Sequence, residues 1–450
     1  MTTAHSSMYE NHRTLAKPKR SRGLSSEDFT NFACMFYVLL HYILLAFAYR
    51  YSPSLLDEIT AVLALPFAIS YVIRSRDVLP VFFFLLYALF LYLGAISNQL
   101  GGVLQPQSGL IAILLDAKIA VFALAMCYIF SNSKDPERII SSVLRTMIII
   151  AIINTPFMAL DYLRKSDIHG EILQIKSGFI QPRGLFHHPT ELAWLYTFSA
   201  FYMAYQYSKR RTSMNMAGVI CFSLLAILCV SIKEIFALLL GNFLIIRMQR
   251  RERFDIGMRI IAASLIAMGG FLVATSDFGA AVLKHVGMFW GESSIPTVRA
   301  GMTDASWRIA SDFFPLGSGG GAFGSAPSYQ GGYSNVYYAY NIHLLWGGSR
   351  EYAAFLQDVF WPKIIAEGGW IGGISYIAFL GVFLLRIFQT RKKGERINAG
   401  WLRVCQSFIF LALLVSLASA PFTNELILFM TALAFGYAGR KQFAAQPLRS

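Results

Sequence analysis

The chain has 450 residues, of which 56% are hydrophobic and 14% are charged, and its mean hydropathy is +0.51. A chain this apolar exceeds what one soluble core buries, which excludes an ordinary soluble enzyme or binding domain. The formal net charge of +14 favours contact with anionic lipid headgroups over nucleic-acid binding, because most basic residues lie in short connections between apolar runs.

Residues 1–28 are polar and basic and predict a cytoplasmic tail. Residues 29–450 predict a polytopic membrane domain, because apolar runs of about 20 residues, the length that crosses a bilayer, recur along them. About twelve such runs begin near Phe29, Leu56, Leu79, Gly109, Ile139, Glu191, Ser213, Ile232, Ile260, Trp361, Leu402 and Pro421. The predicted fold is therefore an all-α integral membrane protein.

Basic residues follow every second run, as at 74–76, 209–211 and 391–396. Since short cytoplasmic connections collect Lys and Arg, both termini are predicted to be cytoplasmic. The opposite, periplasmic side then carries a loop at about 161–189 and a longer one at about 275–360. The longer loop lies between the ninth and tenth predicted helices, and we expect it to contain short helices of its own.

The longer loop has the composition of an extramembrane active site. Glycines cluster at 315–324, around Gly319, where backbone amides can approach an anion; a flexible loop is the plainer alternative. Tyrosines such as Tyr338, together with Trp346 and Tyr352, suit sugar rings and a membrane interface equally well. His343 is either a structural hydrogen-bonding residue or a catalytic base.

Four cations on or near the predicted outer side are candidates for binding a ligand. Arg183, Arg299 and Arg308 lie on the predicted outer side, which the positive-inside rule depletes of basic residues, so an anionic ligand is the sharper interpretation. Lys233, beside Glu234, begins an apolar run near the outer boundary. It either pairs with Glu234, reaches the headgroups or serves a function.

Two charges lie inside the fourth run. Asp116 and Lys118 are two residues apart and therefore face different directions on a helix. We interpret them as structural. The sequence shows no metal-ligand cluster, and the five cysteines, all in or at the edge of apolar runs, predict no disulfide framework.

Three segments resemble the bacterial O-antigen ligase and Wzy-type polysaccharide polymerase superfamily. They are 181–194 (QPRGLFHHPTELAW), 307–324 (WRIASDFFPLGSGGGAFG) and 357–372 (QDVFWPKIIAEGGWIG). The similarity covers most of the chain from Gln181 onward, whereas the first half matches only in hydropathy.

The resemblance implies a membrane-embedded glycosyltransferase that works without a metal or cofactor at the periplasmic side of the bacterial inner membrane. It implies a polyprenyl-pyrophosphate-linked glycan as donor and an acceptor glycan. Other expected partners are membrane lipids and proteins of polysaccharide export and chain-length control. The resemblance implies that pyrophosphate is bound by Arg183, Lys233, Arg299 and Arg308. The substrate-binding candidates are His188, Gly319 and Tyr338.

This chain departs from the family pattern at two positions. Asp358 stands where ligases carry a histidine ahead of the Glu-x-Gly-x-x-Gly pattern that begins at Glu367, so the segment looks like polymerase-type or uncharacterised members of the superfamily. Asp358 is then the candidate base, with His343 as its competitor; the alternative for Asp358 is the N-terminal cap of the tenth predicted helix. Thr190 replaces the family's asparagine after His188.

The leading hypothesis is a polymerase that joins polyprenyl-linked repeat units into exopolysaccharide or O-antigen. A ligase that transfers glycan to lipid A core is the alternative within the class. A lipid-linked-glycan flippase or secondary transporter is the alternative from another class, although such carriers usually show two related halves.

Overall fold

The computed structural model describes residues 26–47, 56–100, 108–168, 170–176, 179–186, 188–229, 232–247, 298–330, 332–353, 355–389, 398–417 and 419–440. This part of the chain is largely helical, as predicted, with one short antiparallel hairpin formed by β1 (Ile175–Lys176) and β2 (Phe179–Ile180). The helices are α1 (Ser26–Phe47), α2 (Leu56–Ser75), α3 (Val78–Leu100), α4 (Ser108–Asn132), α5 (Pro136–Arg164), α6 (Pro189–Lys209), α7 (Ser213–Leu228), α8 (Ile232–Arg247), α9 (Val298–Asp312), α10 (Pro327–Gln330), α11 (Asn335–Ala339), α12 (Phe360–Gln389), α13 (Ala399–Ser416) and α14 (Glu425–Gly439).

The predicted apolar runs coincide with helices, apart from the run near Ile260, which lies outside the described residues. Six helices in the described ranges, α2 to α5, α12 and α13, are long and apolar enough to cross a membrane. The predicted tail at 1–28 lies almost wholly outside the described ranges, and α1 begins at Ser26. The structure thus supports a helical membrane protein.

The bundle of described helices has two ends that differ in their charged residues. At one end Arg386 pairs with Asp77 across 2.7 Å, close to the basic connections; we call this the basic end. At the other end His41 on α1 pairs with Glu425 on α14 across 2.6 Å. The region 298–359 packs at this second end, which we call the loop end. As expected for the long predicted loop, its described part contains short helices.

Helix α12 is not one straight span, although the sequence predicts a continuous helix from about Trp361. Gly369 inside it has φ 62° and ψ −171°, which no α-helix contains. The Phe360 ring lies 5.9 Å from the Tyr376 ring, whereas 16 residues of straight helix span about 24 Å. The half at 360–368 therefore folds back toward the other half, and the two meet at Gly369.

A break in a helix leaves backbone carbonyl groups without partners, which is costly in an apolar bundle. Here the glycine-rich turn (315–324) supplies the missing donors. The amide of Ser318 donates to the Ala366 carbonyl at 2.8 Å, and the amide of Gly319 donates to the Glu367 carbonyl at 3.0 Å. The turn and the break thus form a single hydrogen-bonded unit.

Only glycine fits where this turn meets α3 and α12. Gly319 has φ +81°, and a Cβ atom there would lie 2.2 Å from the backbone nitrogen of Ala95. A Cβ atom on Gly317 would lie 2.2 Å from the amide nitrogen of Gly369. Because backbone meets backbone, no side chain can move away to relieve the clash. The turn is a packing element, in contrast to the flexible loop that composition favours.

Substituting Gly319→Ala should therefore destabilise the protein by at least about 2 kcal/mol, since both overpacking and a strained φ oppose the methyl group. Thermal unfolding of the detergent-solubilised protein measures this. Gly381→Ala in α12 is the matched control, because a Cβ atom there meets nothing within 4 Å. Equal melting temperatures for the two variants would refute the packing role.

Candidate functional site

The structure places the predicted site residues at the loop end, in separate groups. Arg183 and His188 precede α6, Lys233 lies in the first turn of α8, Arg299 and Arg308 lie on α9, Gly319 lies in the glycine-rich turn, Tyr338 and His343 lie in and after α11, and Asp358 precedes α12. Among these residues, Arg299 forms an ion pair with Asp358, and the tilted rings of Tyr338 and His343 lie against each other.

Arg299 and Asp358 form the pair of opposite charge. Nη2 of Arg299 donates to Oδ2 of Asp358 in a short ion pair. The same guanidinium lies 5.1 Å over the ring of Phe355. The side chains of Arg299 and Asp358 are 23% and 34% exposed, so a ligand can reach both. A predicted pyrophosphate-binding residue and the predicted base are thus one unit.

The structure does not support the alternative in which Asp358 is the N-terminal cap of α12. Helix α12 begins at Phe360, so the residue directly before it is Val359, and Asp358 lies one position further out. Its carboxylate is engaged by Arg299 instead of by a helix amide.

Arg308 lies away from this pair. It follows Arg299 by nine residues on α9, which places the two side chains about 180° apart around the helix axis. Arg308 bonds to Asp304 one turn earlier, and both side chains are more than half exposed, at 57% and 69%. The two guanidinium groups therefore lie on opposite sides of α9, and binding of one pyrophosphate by both arginines stays a prediction.

Arg183 is held by acidic side chains at the end of α5 and in the following loop. Its Nη1 lies 3.3 Å from Oδ2 of Asp167 and 3.1 Å from Oε2 of Glu171. The amides of Arg183 and Gly184 both donate to Oδ2 of Asp161, each at 2.7 Å. These bonds fix the position of the Arg183 backbone at the loop end.

His188 caps α6. Its Nδ1 accepts from the Thr190 amide at 3.2 Å and lies 2.6 Å from the Thr190 hydroxyl, and Pro189 occupies the first turn. This geometry gives His188 a structural role as a helix cap, and its contact with substrate stays a prediction. Thr190, the departure from the family pattern, is a component of the cap.

Lys233 contacts two neighbours. Its Nζ bonds to the Ser419 hydroxyl and lies 4.0 Å from Oε1 of Glu234, so the predicted Lys233 and Glu234 pair is present only at the limit of an ion pair. Glu234 is buried, and its Oε1 accepts from Trp194 Nε1 at 3.1 Å. The carboxylate of Glu234 thus serves the packing of α6 against α8 as well as Lys233.

The loop tyrosines divide into buried and exposed rings. Tyr337 is buried, its hydroxyl accepts from the Gly324 amide at 2.9 Å, and burial raises its pKa well above its usual value. Tyr338 is exposed, and its ring lies 4.8 Å from the His343 ring. His343 Nδ1 lies 3.3 Å from the Tyr337 carbonyl oxygen, which fits a protonated Nδ1 donating to it. The predicted base His343 and the predicted substrate contact Tyr338 therefore lie together.

The glycine-rich turn does not offer Gly319 to an anion through its amide. Besides Ser318 and Gly319, the amide of Gly320 donates to Leu91 on α3 at 3.1 Å. The amide of Phe323 donates to Oε1 of Glu367 at 3.0 Å. These donors already have acceptors within the protein, so the turn serves packing.

Sequence reasoning missed Lys363. It also missed that the carboxylate of Glu367 accepts a hydrogen bond from the glycine-rich turn. Lys363 Nζ bonds to Oδ1 of Asp116 at 2.5 Å, and both side chains are buried. The hydroxyl of Tyr87 donates to the other oxygen of Asp116 at 2.7 Å. A lysine inside an apolar run was a usable signal, but its partner lies 247 residues away.

Asp116 and Lys118 face different neighbours, as their spacing predicts. Lys118 Nζ bonds to Asp57 at 2.5 Å and to Glu58 at 2.6 Å on α2. Asp116 faces Lys363 on α12. The two charges therefore attach α4 to two different helices, which supports their structural interpretation.

Within the described ranges, no three His, Cys, Asp or Glu side chains are arranged to hold a metal ion. The five cysteines are free thiols.

No protein-family model matches the chain, and no curated protein matches its sequence. The resemblance to the O-antigen ligase and Wzy-type superfamily therefore stays a prediction that depends on the three quoted segments.

The buried Lys363 and Asp116 pair should be costly to split. Lys363→Met should destabilise the protein by about 3 kcal/mol, because Asp116 is left as a buried, uncompensated charge. Adding Asp116→Leu should restore part of that loss, since it removes the buried charge, although the Tyr87 hydroxyl then loses its acceptor. Thermal unfolding of the single and double variants measures both effects.

Arg308→Gln is the control. Because Arg308 pairs with Asp304 on the exposed face of one helix, its loss should change the free energy of unfolding by about 0.5 kcal/mol or less. Additive losses in the double variant would contradict a coupled pair.

Proposed function

We propose that this protein is a membrane-embedded glycosyltransferase of the polymerase type. It transfers polyprenyl-pyrophosphate-linked glycan repeat units onto the hydroxyl of an acceptor glycan, in exopolysaccharide or O-antigen biosynthesis. The observation that carries the proposal is the accessible ion pair of Arg299 and Asp358 at the loop end. It supplies one cation for a leaving pyrophosphate and one carboxylate for an acceptor hydroxyl.

The reaction breaks the bond between the anomeric carbon and the pyrophosphate oxygen and forms a bond to the acceptor oxygen. Negative charge develops on the pyrophosphate, and a preorganised guanidinium stabilises it. The acceptor hydroxyl loses its proton, for which a carboxylate within hydrogen-bonding distance is a suitable base. In this proposal Arg299 has the first role and Asp358 the second.

The existing ion pair gives the proposal an order of events. Without substrate, Arg299 and Asp358 neutralise each other. A pyrophosphate carries more negative charge than one carboxylate and competes for the guanidinium. Donor binding then releases Asp358 to accept the proton of the acceptor hydroxyl. Base catalysis is thereby tied to an occupied donor site.

The proposed topology has about twelve membrane spans in the bacterial inner membrane, with both termini in the cytoplasm. The loops at about 161–189 and 275–360 are then periplasmic, and so is the active site. Supporting this, the basic connections 74–76 and 209–211 lie at the end opposite the region 298–359.

The direct test is to incubate the purified, full-length protein with polyprenyl-pyrophosphate repeat units from its own cells, without added metal or nucleotide, and to separate products by size. A ladder of lengthening glycans supports the polymerase. Transfer of finished chains to lipid A core indicates the ligase instead. Movement of intact donor across vesicles that lack acceptor indicates a flippase or transporter.

Within that assay, Arg299→Gln and Asp358→Asn should each lower polymer formation by about 100-fold or more, because each removes a charge used in the transition state. Arg164→Gln, which changes an exposed cation at the end of α5, should leave the rate unchanged and serves as the control. Wild-type rates from either site variant would remove that residue from the reaction. Normal polymer from both Arg183→Ala and Arg308→Ala would likewise remove those two arginines from pyrophosphate binding.

A further inference from the structure

Three aromatic side chains form a continuous strip that leads to the Arg299 and Asp358 pair. The Trp346 ring lies 5.7 Å from the Tyr352 ring and 5.1 Å from the Phe355 ring. The Phe355 ring lies 5.1 Å from the guanidinium of Arg299. Trp346 is 65% exposed and Tyr352 is 48% exposed. We call Trp346, Tyr352 and Phe355 the aromatic strip.

The backbone beneath the strip is fixed. Gly347 has φ +83°, and a Cβ atom there would lie 2.3 Å from the Phe355 ring. The amide of Phe355 donates to the Gly347 carbonyl at 3.3 Å, and the Tyr333 hydroxyl bonds to the Gly348 carbonyl. These bonds hold the backbone at Gly347 and Gly348, next to Trp346, so little conformational entropy is lost when a ligand stacks on that ring.

We propose that the aromatic strip binds sugar rings of the acceptor glycan, and this inference rests on the proposed function. The C–H face of a sugar packs on an aromatic face, while its hydroxyls need polar partners at the ring edges. The strip offers both, because its exposed faces at Trp346 and Tyr352 continue through Phe355 to the charged pair. An acceptor lying along it presents its terminal hydroxyl beside Asp358.

Membrane lipid is the competing occupant, and a second aromatic pair in the same region serves as the comparison. The Trp307 ring lies 5.4 Å from the Trp370 ring, and Trp370 directly follows the break at Gly369, where α12 turns along the bundle. Trp307 lies eight residues, or about 12 Å along α9, from Arg299. The aromatic strip instead adjoins a partly exposed ion pair, which would lose its contact with water at a cost in free energy if acyl chains covered it.

Binding can be tested apart from catalysis. The probe is oligosaccharide released from the cell's own polymer, without lipid or pyrophosphate, titrated against the full-length protein in lipid nanodiscs and observed by saturation-transfer NMR. Trp346→Ala should weaken binding about tenfold, which is the loss expected for one stacked ring. Trp346→Phe should retain most of the affinity, because it keeps an aromatic face.

Trp307→Ala is the matched control, since it removes an exposed tryptophan of the same region outside the strip. Tyr352→Ala provides a second test of the strip, and the melting temperature of each variant confirms folding. Unchanged affinity in folded Trp346→Ala and Tyr352→Ala, or an equal loss in Trp307→Ala, would overturn the proposal. Stronger quenching of Trp346 than of Trp307 by brominated lipids would overturn it in favour of a membrane anchor.

The two proposals fail in different ways. Wild-type protein that forms polymer while Trp346→Ala leaves the KM for the acceptor unchanged contradicts the strip alone. Wild-type protein that binds the oligosaccharide through Trp346 and forms no polymer contradicts the polymerase alone. A selective rise in the acceptor KM, with the donor KM and kcat retained, supports both.

Discussion

The loop end depends on the two hydrogen bonds by which Ser318 and Gly319 fill the break in α12. An interrupted helix in an apolar bundle is tolerated only where its exposed carbonyl groups find donors. The turn provides them because its glycines allow backbone to lie against backbone. With these carbonyl groups satisfied, the half at 360–368 can fold back, and Asp358, two residues before this half, lies beside Arg299. The geometry of the site therefore depends on the packing of the glycine-rich turn against the break in α12.

Three arginines at the loop end are all paired with acidic side chains. Arg183, Arg299 and Arg308 each pair with carboxylates in the described structure. A paired guanidinium is a poor target for a singly charged anion, since the exchange gains little. A pyrophosphate with several charged oxygens gains more by displacing one carboxylate. Such pairing favours a multiply charged ligand, which fits the lipid-linked donor that we propose.

The sequence predicts more site residues than the structure brings into contact with one another. His188 caps α6 and Gly319 packs against α3, so both have structural roles that explain why those residue types stand there. Conversely, Phe355 attracted no attention in the sequence, yet it connects the exposed rings to Arg299. The residue types predict that the region binds a charged and aromatic-compatible ligand. Only the contacts in the folded chain show which side chains lie together.

What the sequence by itself determined is the helical membrane architecture, because hydropathy over about 20 residues is a local property that needs no knowledge of packing. The starts of α2, α7 and α8 at Leu56, Ser213 and Ile232 were read directly from it. Tertiary structure alone decided the break at Gly369, since its positive φ is stabilised by a turn about 50 residues earlier in the chain. It also decided the pairing of Arg299 with Asp358 and of Lys363 with Asp116, whose partners are 59 and 247 residues apart. Periodicity reports on one helix at a time, and ion pairs between distant segments form only when the whole bundle has packed.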